Sequence, residues 1–275
     1  MGCAPYEASM TKVGVIGLGT MGRVLIRGVL AAGEDVRVLA STRSAQTAEA
    51  AARELGIPVE RDNARVAEQS EIIVLCVKPH QARAVLEALA PVLRADQIVL
   101  SICASIVIED IRTWIQGRAR VIRAMPNTPC LVGEGMTVLA ADADVTDEQL
   151  ALARRLFEPL GRTAVVDESL MDGVTGLSGC GPAYGYLIIE SLSEAGVKLG
   201  ISRATSTLLA AQTMLGAAKM VLERGEHPAA LKDEVTTPAG CTIDGLMALE
   251  DGKLRSTLIS GVIAAAERSK TLRNG

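Results

Sequence analysis

The sequence predicts an α/β chain in two parts, a doubly wound and mostly parallel sheet over residues 11–167 followed by an all-helical domain over residues 168–275. Three observations carry this. Short β-rich apolar runs alternate with helical stretches across residues 12–166, the pattern of βαβ units. Some of those runs, Ile72-Ile73-Val74-Leu75-Cys76-Val77 above all, are apolar at every position, as strands buried on both faces must be. After Asp167 the strand signals stop and only helical segments remain.

In chain order, strands are expected at residues 12–17, 35–40, 71–77, 97–103, 120–124, 136–140 and 162–166. The helical part is broken at Gly179-Cys180-Gly181-Pro182, at Gly200, at Gly225 and at Pro238-Ala239-Gly240, where glycine and proline end one helix and open the next. Between residues 204 and 222 the apolar positions cover most of the helix circumference instead of one stripe. A small domain on its own does not bury such a helix. The expectation is therefore an obligate homo-oligomer in which these helices pack against another copy of the chain.

Composition excludes several classes. The formal net charge is −4 and no dense Lys/Arg stripe is present, which argues against a nucleic-acid partner. The six cysteines, at positions 3, 76, 103, 130, 180 and 241, form no Cys-x-x-Cys pair, and there are two histidines, so neither a metal site nor a disulfide framework is expected. Buried thiols in a reducing compartment fit better. The longest apolar stretch, residues 206–222, is interrupted by Gln212 and Lys219, so no membrane span is expected. The opening Met1-Gly2-Cys3-Ala4-Pro5-Tyr6 has Tyr6 where an acylation signal needs Ser or Thr, and it lacks the apolar core of a secretion signal. It reads as a short frayed tail on a cytoplasmic protein.

Gly17-Leu18-Gly19-Thr20-Met21-Gly22 follows the first strand directly and opens an amphipathic segment. In that context the first glycine allows a tight turn, the second lets the backbone approach a pyrophosphate, and the third lets helix and strand pack closely. The helix start supplies free N–H groups to the phosphates. A Rossmann-like dinucleotide site follows. About twenty residues on, where an acid would take the ribose hydroxyls of NAD, the chain reads Leu39-Ala40-Ser41-Thr42-Arg43-Ser44. Hydroxyls and a guanidinium suit a 2′-phosphate, which points to NADP(H) with NAD(H) as the poorer cofactor. Val77-Lys78-Pro79-His80 ends another strand at the sheet edge where ligands bind; Lys78 is expected near the cofactor, and His80 reads as a surface or capping residue.

Two segments are unusual for helices: Gly176-Leu177-Ser178-Gly179-Cys180-Gly181-Pro182-Ala183-Tyr184 and Leu231-Lys232-Asp233-Glu234-Val235-Thr236-Thr237-Pro238-Ala239-Gly240-Cys241-Thr242. The second leaves backbone N–H groups and hydroxyls at a helix start, able to hold a carboxylate. These two segments, the glycine motif, Val77-Lys78-Pro79 and Arg123-Ala124-Met125-Pro126-Asn127-Thr128-Pro129 together resemble the pyrroline-5-carboxylate reductases, in matching order and over nearly the whole chain. The resemblance implies reduction of 1-pyrroline-5-carboxylate to proline by NADPH, the last step of proline synthesis. It implies helical domains interlocked in a homodimer or a larger assembly of dimers, with each active site between a nucleotide domain and the shared helices. It further implies cofactor contacts from the 17–22 loop, Ser41, Asn63, Val77, Lys78, Pro79, Cys103, Ala104 and Ser105, and substrate contacts from Glu168, Thr237, Gly240, Cys241 and Thr242. Thr242 matches the hydroxyl that bonds the ring nitrogen.

Ser105 and Ala239 stand where glycine is common in that family, and Cys180 where serine is common. If Ala239 takes a positive φ, the turn is strained by roughly 1–2 kcal/mol. Because a threonine hydroxyl is a weak acid, Thr242 is expected to orient a ring that is already protonated; Tyr184 is the alternative proton donor. Two rival readings compete. One is a related reductase of another small cyclic imine or of a hydroxy or keto acid, which would need a catalytic lysine such as Lys198, Lys219 or Lys232. The other is a dinucleotide-binding protein without activity.

Overall fold

The computed structural model describes residues 10–33 and 36–272. The N-terminal tail with Cys3, and Asp35 at the expected start of the second strand, lie outside the described residues. Contacts divide the chain into two compact units, one of residues up to Gly179 together with Ala266 onward, the other of Cys180–Ala265.

The first unit is built on one eight-stranded sheet: β1 (Thr11–Ile16), β2 (Val36–Ser41), β3 (Val59–Glu60), β4 (Ile72–Leu75), β5 (Ile98–Ser101), β6 (Arg120–Pro126), β7 (Gly135–Ala141) and β8 (Gly161–Val165), in the order β3-β2-β1-β4-β5-β6-β7-β8. All pairs are parallel except β6 with β7. Seven strands match the sequence-based expectation. Strand β3 was not expected, because two residues are too few to show a period. The continuous apolar runs of β4 and β5 are fully buried, as their composition requires.

Six helices connect these strands: α1 (Thr20–Ala31), α2 (Ala45–Leu55), α3 (Asn63–Glu68), α4 (Pro79–Leu89), α5 (Ile108–Trp114) and α6 (Asp147–Arg155). Their starts are written locally. The Ser44 hydroxyl accepts from the Thr47 N–H, the Asp62 carboxylate from the Ala64 N–H, and Thr146 with Gln149 closes a capping box on α6. Pro79 begins α4, where its missing N–H costs nothing. The chain winds outward from β1 through β2 to β3 and then crosses back by α3 to β4 on the other side of β1, so the strand order reverses between β1 and β4 and opens a crevice at their carboxyl ends.

Residues 168–179 group with the sheet. A 3-10 turn (Glu168–Leu170), α7 (Met171–Val174) and a π-helical turn (Thr175–Gly179) follow β8. Met171 packs with Val138 and Ala140, and the buried Asp172 carboxylate accepts from the Ser269 hydroxyl at 2.8 Å.

The second unit contains α8 (Gly181–Lys198), α9 (Arg203–Arg224), α10 (Pro228–Glu234), α11 (Cys241–Asp251) and most of α12 (Leu254–Leu272). The breaks fall at the expected glycines; Gly200 and Gly225 both take positive φ. Helices α8 and α9 meet through small side chains: the Ser193 and Thr207 hydroxyls lie 2.8 Å apart, and a Cβ on Gly196 would fall 2.5 Å from the Ser206 hydroxyl. Beyond that seam the apolar side chains stay outside, Leu208 being 67% and Leu187 62% exposed. No described helix is long and apolar enough to cross a membrane.

Candidate active site

At the crevice between β1 and β4 the first unit holds a cleft of about 940 Å³. Gly17, Leu18, Gly19, Thr20 and Met21 line one wall, Ser41, Thr42, Arg43 and Asn63 another, and Val77 and Lys78 a third. The three glycines of the motif stand in different surroundings. Gly17 has φ +101° and sits where a Cβ would come 2.7 Å from the Cys76 carbonyl oxygen, so only glycine fits. A Cβ on Gly19 would meet nothing within 4 Å, which leaves this backbone open to a ligand just ahead of α1. Gly22 faces away from the cleft, and its missing Cβ lets α1 close on the Gly17 carbonyl, 2.4 Å from where that Cβ would stand. The Arg23 guanidinium donates to the Leu18 carbonyl at 3.2 Å and holds the loop in place.

On the second wall the buried Ser41 hydroxyl donates to the Asn63 side-chain oxygen at 2.7 Å, which ties the end of β2 to the start of α3. The Thr42 N–H donates to the Glu60 carbonyl at 3.1 Å. Arg43 is exposed and forms no salt bridge among the described residues. Among the described residues the titratable lining side chains besides Cys76 are Arg43, Lys78 and His80, and no carboxylate lines the cleft, although the chain as a whole is acidic. That lining favours a ligand with several negative charges.

The structure adds residues to this cleft. His80, Gln81, Ala84 and Val85 come from the first turns of α4, and Ile16, Cys76 and Ile102 from strand ends. His80 reads from the sequence as a surface residue, and it is exposed, yet it stands at the cleft. Helical spacing beyond Pro79 was the available signal for Gln81 and Ala84. Pro79, Cys103, Ala104 and Ser105 do not line the cleft. The Cys103 thiol is buried, donates to the Val77 carbonyl at 3.3 Å, and is pushed above its ordinary pKa by burial, so it serves as a donor between two loops. Ser105 takes φ +63°. Glu168 is engaged: one carboxylate oxygen accepts from the Arg123 guanidinium at 2.8 Å and from the Ile108 N–H at 2.7 Å.

In the second unit the turn between α10 and α11 holds Thr237, Ala239, Gly240, Cys241 and Thr242. The Gly240 N–H donates to the Thr237 carbonyl at 3.0 Å, and a Cβ on Gly240 would fall 2.4 Å from the Thr237 hydroxyl. Ala239 does take a positive φ, +55°, so the anticipated strain is present. Gly240 caps α11 without a side chain, which leaves the N–H groups of its first turn for a ligand. Cys241 is exposed and Thr242 half-buried. Lys232 pairs with Asp233, and Lys219 lies 4.0 Å from Glu223 on α9. Desolvation raises the Tyr184 pKa above that of an ordinary phenol. Among the described residues, no group of three or more His, Cys, Asp or Glu is placed to hold a metal ion.

Comparison with known proteins agrees along the chain. A family model described as pyrroline-5-carboxylate reductase dimerisation matches residues 168–272, and one described as NADP oxidoreductase, coenzyme F420-dependent, matches residues 12–105. A pyrroline-5-carboxylate reductase of Arabidopsis thaliana is 40% identical over 98% of this chain and 98% of its own. The solved structure of a pyrroline-5-carboxylate reductase from Coxiella burnetii superposes with a TM-score of 0.92 at 35% identity, covering 96% of this chain and 98% of that one. A Plasmodium falciparum pyrroline carboxylate reductase with NADP bound gives 0.84 at 34% identity, covering 96% and 99%. The chain belongs to the pyrroline-5-carboxylate reductase family.

Proposed function

We propose that this chain is an oxidoreductase that reduces 1-pyrroline-5-carboxylate to L-proline with NADPH as hydride donor, in proline biosynthesis. The observation that carries the reading is the near full-length likeness to reductases of that name, one of them solved with NADP bound. The cleft of the first unit fits such a cofactor by its own chemistry, with an open glycine backbone ahead of α1 and cations that no lining carboxylate among the described residues opposes. When bound, NADPH supplies the hydride.

The residues of this chain do the rest. Loop 17–22 and the first turn of α1 hold the pyrophosphate. Ser41, Thr42, Arg43 and Asn63 hold the 2′-phosphate, with Arg43 as the charged partner. The family resemblance assigns residues 77–79 and 103–105 to the nicotinamide side, and of these Val77 and Lys78 line the cleft. The N–H groups at the start of α11, with Gly240 and Cys241, grip the substrate carboxylate beside Thr237. The Thr242 hydroxyl bonds the ring nitrogen of an already protonated imine, which makes the adjacent carbon the better hydride acceptor. Most of the acceleration then comes from orientation and electrostatics. Glu168, already engaged by Arg123 and Ile108, has a supporting role.

The exposed apolar helices of the second unit and the match to a dimerisation model support a homodimer, alone or within a larger assembly of dimers. A cytoplasmic location and the absence of nucleic-acid partners belong to the same reading. Consumption of NADPH on adding 1-pyrroline-5-carboxylate, with weaker activity on NADH and none on keto or hydroxy acids, is the expected result. Consumption with a keto acid and none with the imine would replace the reading by that of a related dehydrogenase.

A further inference from the structure

Arg123 stands on β6 and is 5% exposed. A guanidinium at that depth is costly without an anion, and its anion is Glu168, 45 residues further along the chain. The oxygen that accepts from Arg123 also accepts from the Ile108 N–H, the first of α5. The residue before that helix is Val107, whose side chain has no acceptor. Glu168 thus satisfies the first of the N–H groups that a helix start leaves without an intrahelical partner, one that a side chain at position 107 would not serve.

What α5 anchors is the loop 102–107. Its entry is held by the Cys103 N–H on the Ser101 hydroxyl at 3.2 Å and by the Cys103 thiol on the Val77 carbonyl. In its middle Ser105 has φ +63°, a conformation that costs a side-chain-bearing residue roughly 1 kcal/mol or more and persists when the surroundings fix both ends. Its exit is held by Glu168. The loop follows β5, in the half of the sheet made by β4, β5 and β6, whereas loop 17–22 and Arg43 belong to the half made by β1, β2 and β3. In a doubly wound fold each half takes one mononucleotide, so the clamped loop belongs to the half that takes the nicotinamide and the phosphate contacts to the other; Ile102 at its start lines the cleft.

We propose that Arg123 and Glu168 are positioning residues for hydride transfer: together they clamp the exit of loop 102–107, whose first residue Ile102 lines the cleft, and so hold the nicotinamide side in its reactive geometry. This rests on the reductase reading, and it assigns Glu168 to the loop instead of to the substrate.

The test uses the full-length enzyme with Arg123→Met, Glu168→Gln and the double variant, each compared with wild type. Single-turnover hydride transfer is expected to slow about tenfold or more in each single variant, because small misplacements at a reacting centre are that costly. NADPH affinity, measured by fluorescence titration, is expected to stay within about threefold, since the phosphate contacts are untouched. The double variant should be no slower than the slower single, as for two residues acting as one unit. Arg123→Lys keeps the buried charge, should fold where Arg123→Met does not, and should recover part of the rate. Full-rate variants, or a rate loss matched by lost NADPH affinity, would overturn the clamp. So would a higher KM for the imine in Glu168→Gln beside a normal Arg123→Met, which would place Glu168 on the substrate. A wild type that consumes no NADPH with the imine contradicts the reaction itself; a normal wild type with unaffected variants contradicts the clamp alone.

Discussion

The sheet unit and the helical unit use their apolar residues in opposite ways. In the first, every position of β4 and β5 is buried by helices of the same chain, and the cleft at the β1/β4 crevice is fully lined by that unit. In the second, α9 is apolar around most of its circumference yet buries only Ser206 and Ala210. The lesson is that the sheet unit covers its own apolar residues, whereas the helical unit leaves an apolar surface of the kind that association covers.

The largest effect expected from breaking that contrast comes from the exposed helical surface. Ile259, 54% exposed beside Leu249 and Leu258, should be buried in the assembled protein. Ile259→Asp would then place a charge in that contact; the account expects a shift to monomer in light scattering with loss of imine reduction, while the sheet unit keeps its NADPH binding. Next in size is Arg43→Ala. Loss of a charge-assisted contact to the 2′-phosphate should raise the KM for NADPH about tenfold while leaving that for NADH nearly unchanged. The smallest effect is stabilising: Ala239→Gly relieves the positive φ, and after the added chain entropy of glycine should gain about 0.5–1 kcal/mol in denaturant unfolding.

Legibility in the sequence followed the range of the interactions. Seven strands, the helix breaks and the glycine loop were readable because periodicity, caps and tight turns act over a few residues. The strain at Ser105 and Ala239 was foreshadowed by their standing in place of glycine, and both have positive φ. Strand β3 escaped because two residues carry no period. Asn63 could be named only through family resemblance, since nothing in residue spacing announces its bond to Ser41 across 22 residues. The Arg123 and Glu168 pair, and the service of Glu168 as a remote cap for α5, had no local signal at all. Helical spacing puts Gln81, Ala84 and Val85 on one face of α4, but that this face lines the cleft is decided by the folded sheet.

The division of labour between the two units is tested most directly by Thr242→Ala, assayed for NADPH affinity and for turnover on the same preparation. The account predicts turnover lowered more than about tenfold with NADPH affinity almost unchanged, because the hydroxyl serves the ring and the phosphates are held elsewhere. Near-normal turnover, or a parallel loss of NADPH binding, would contradict it.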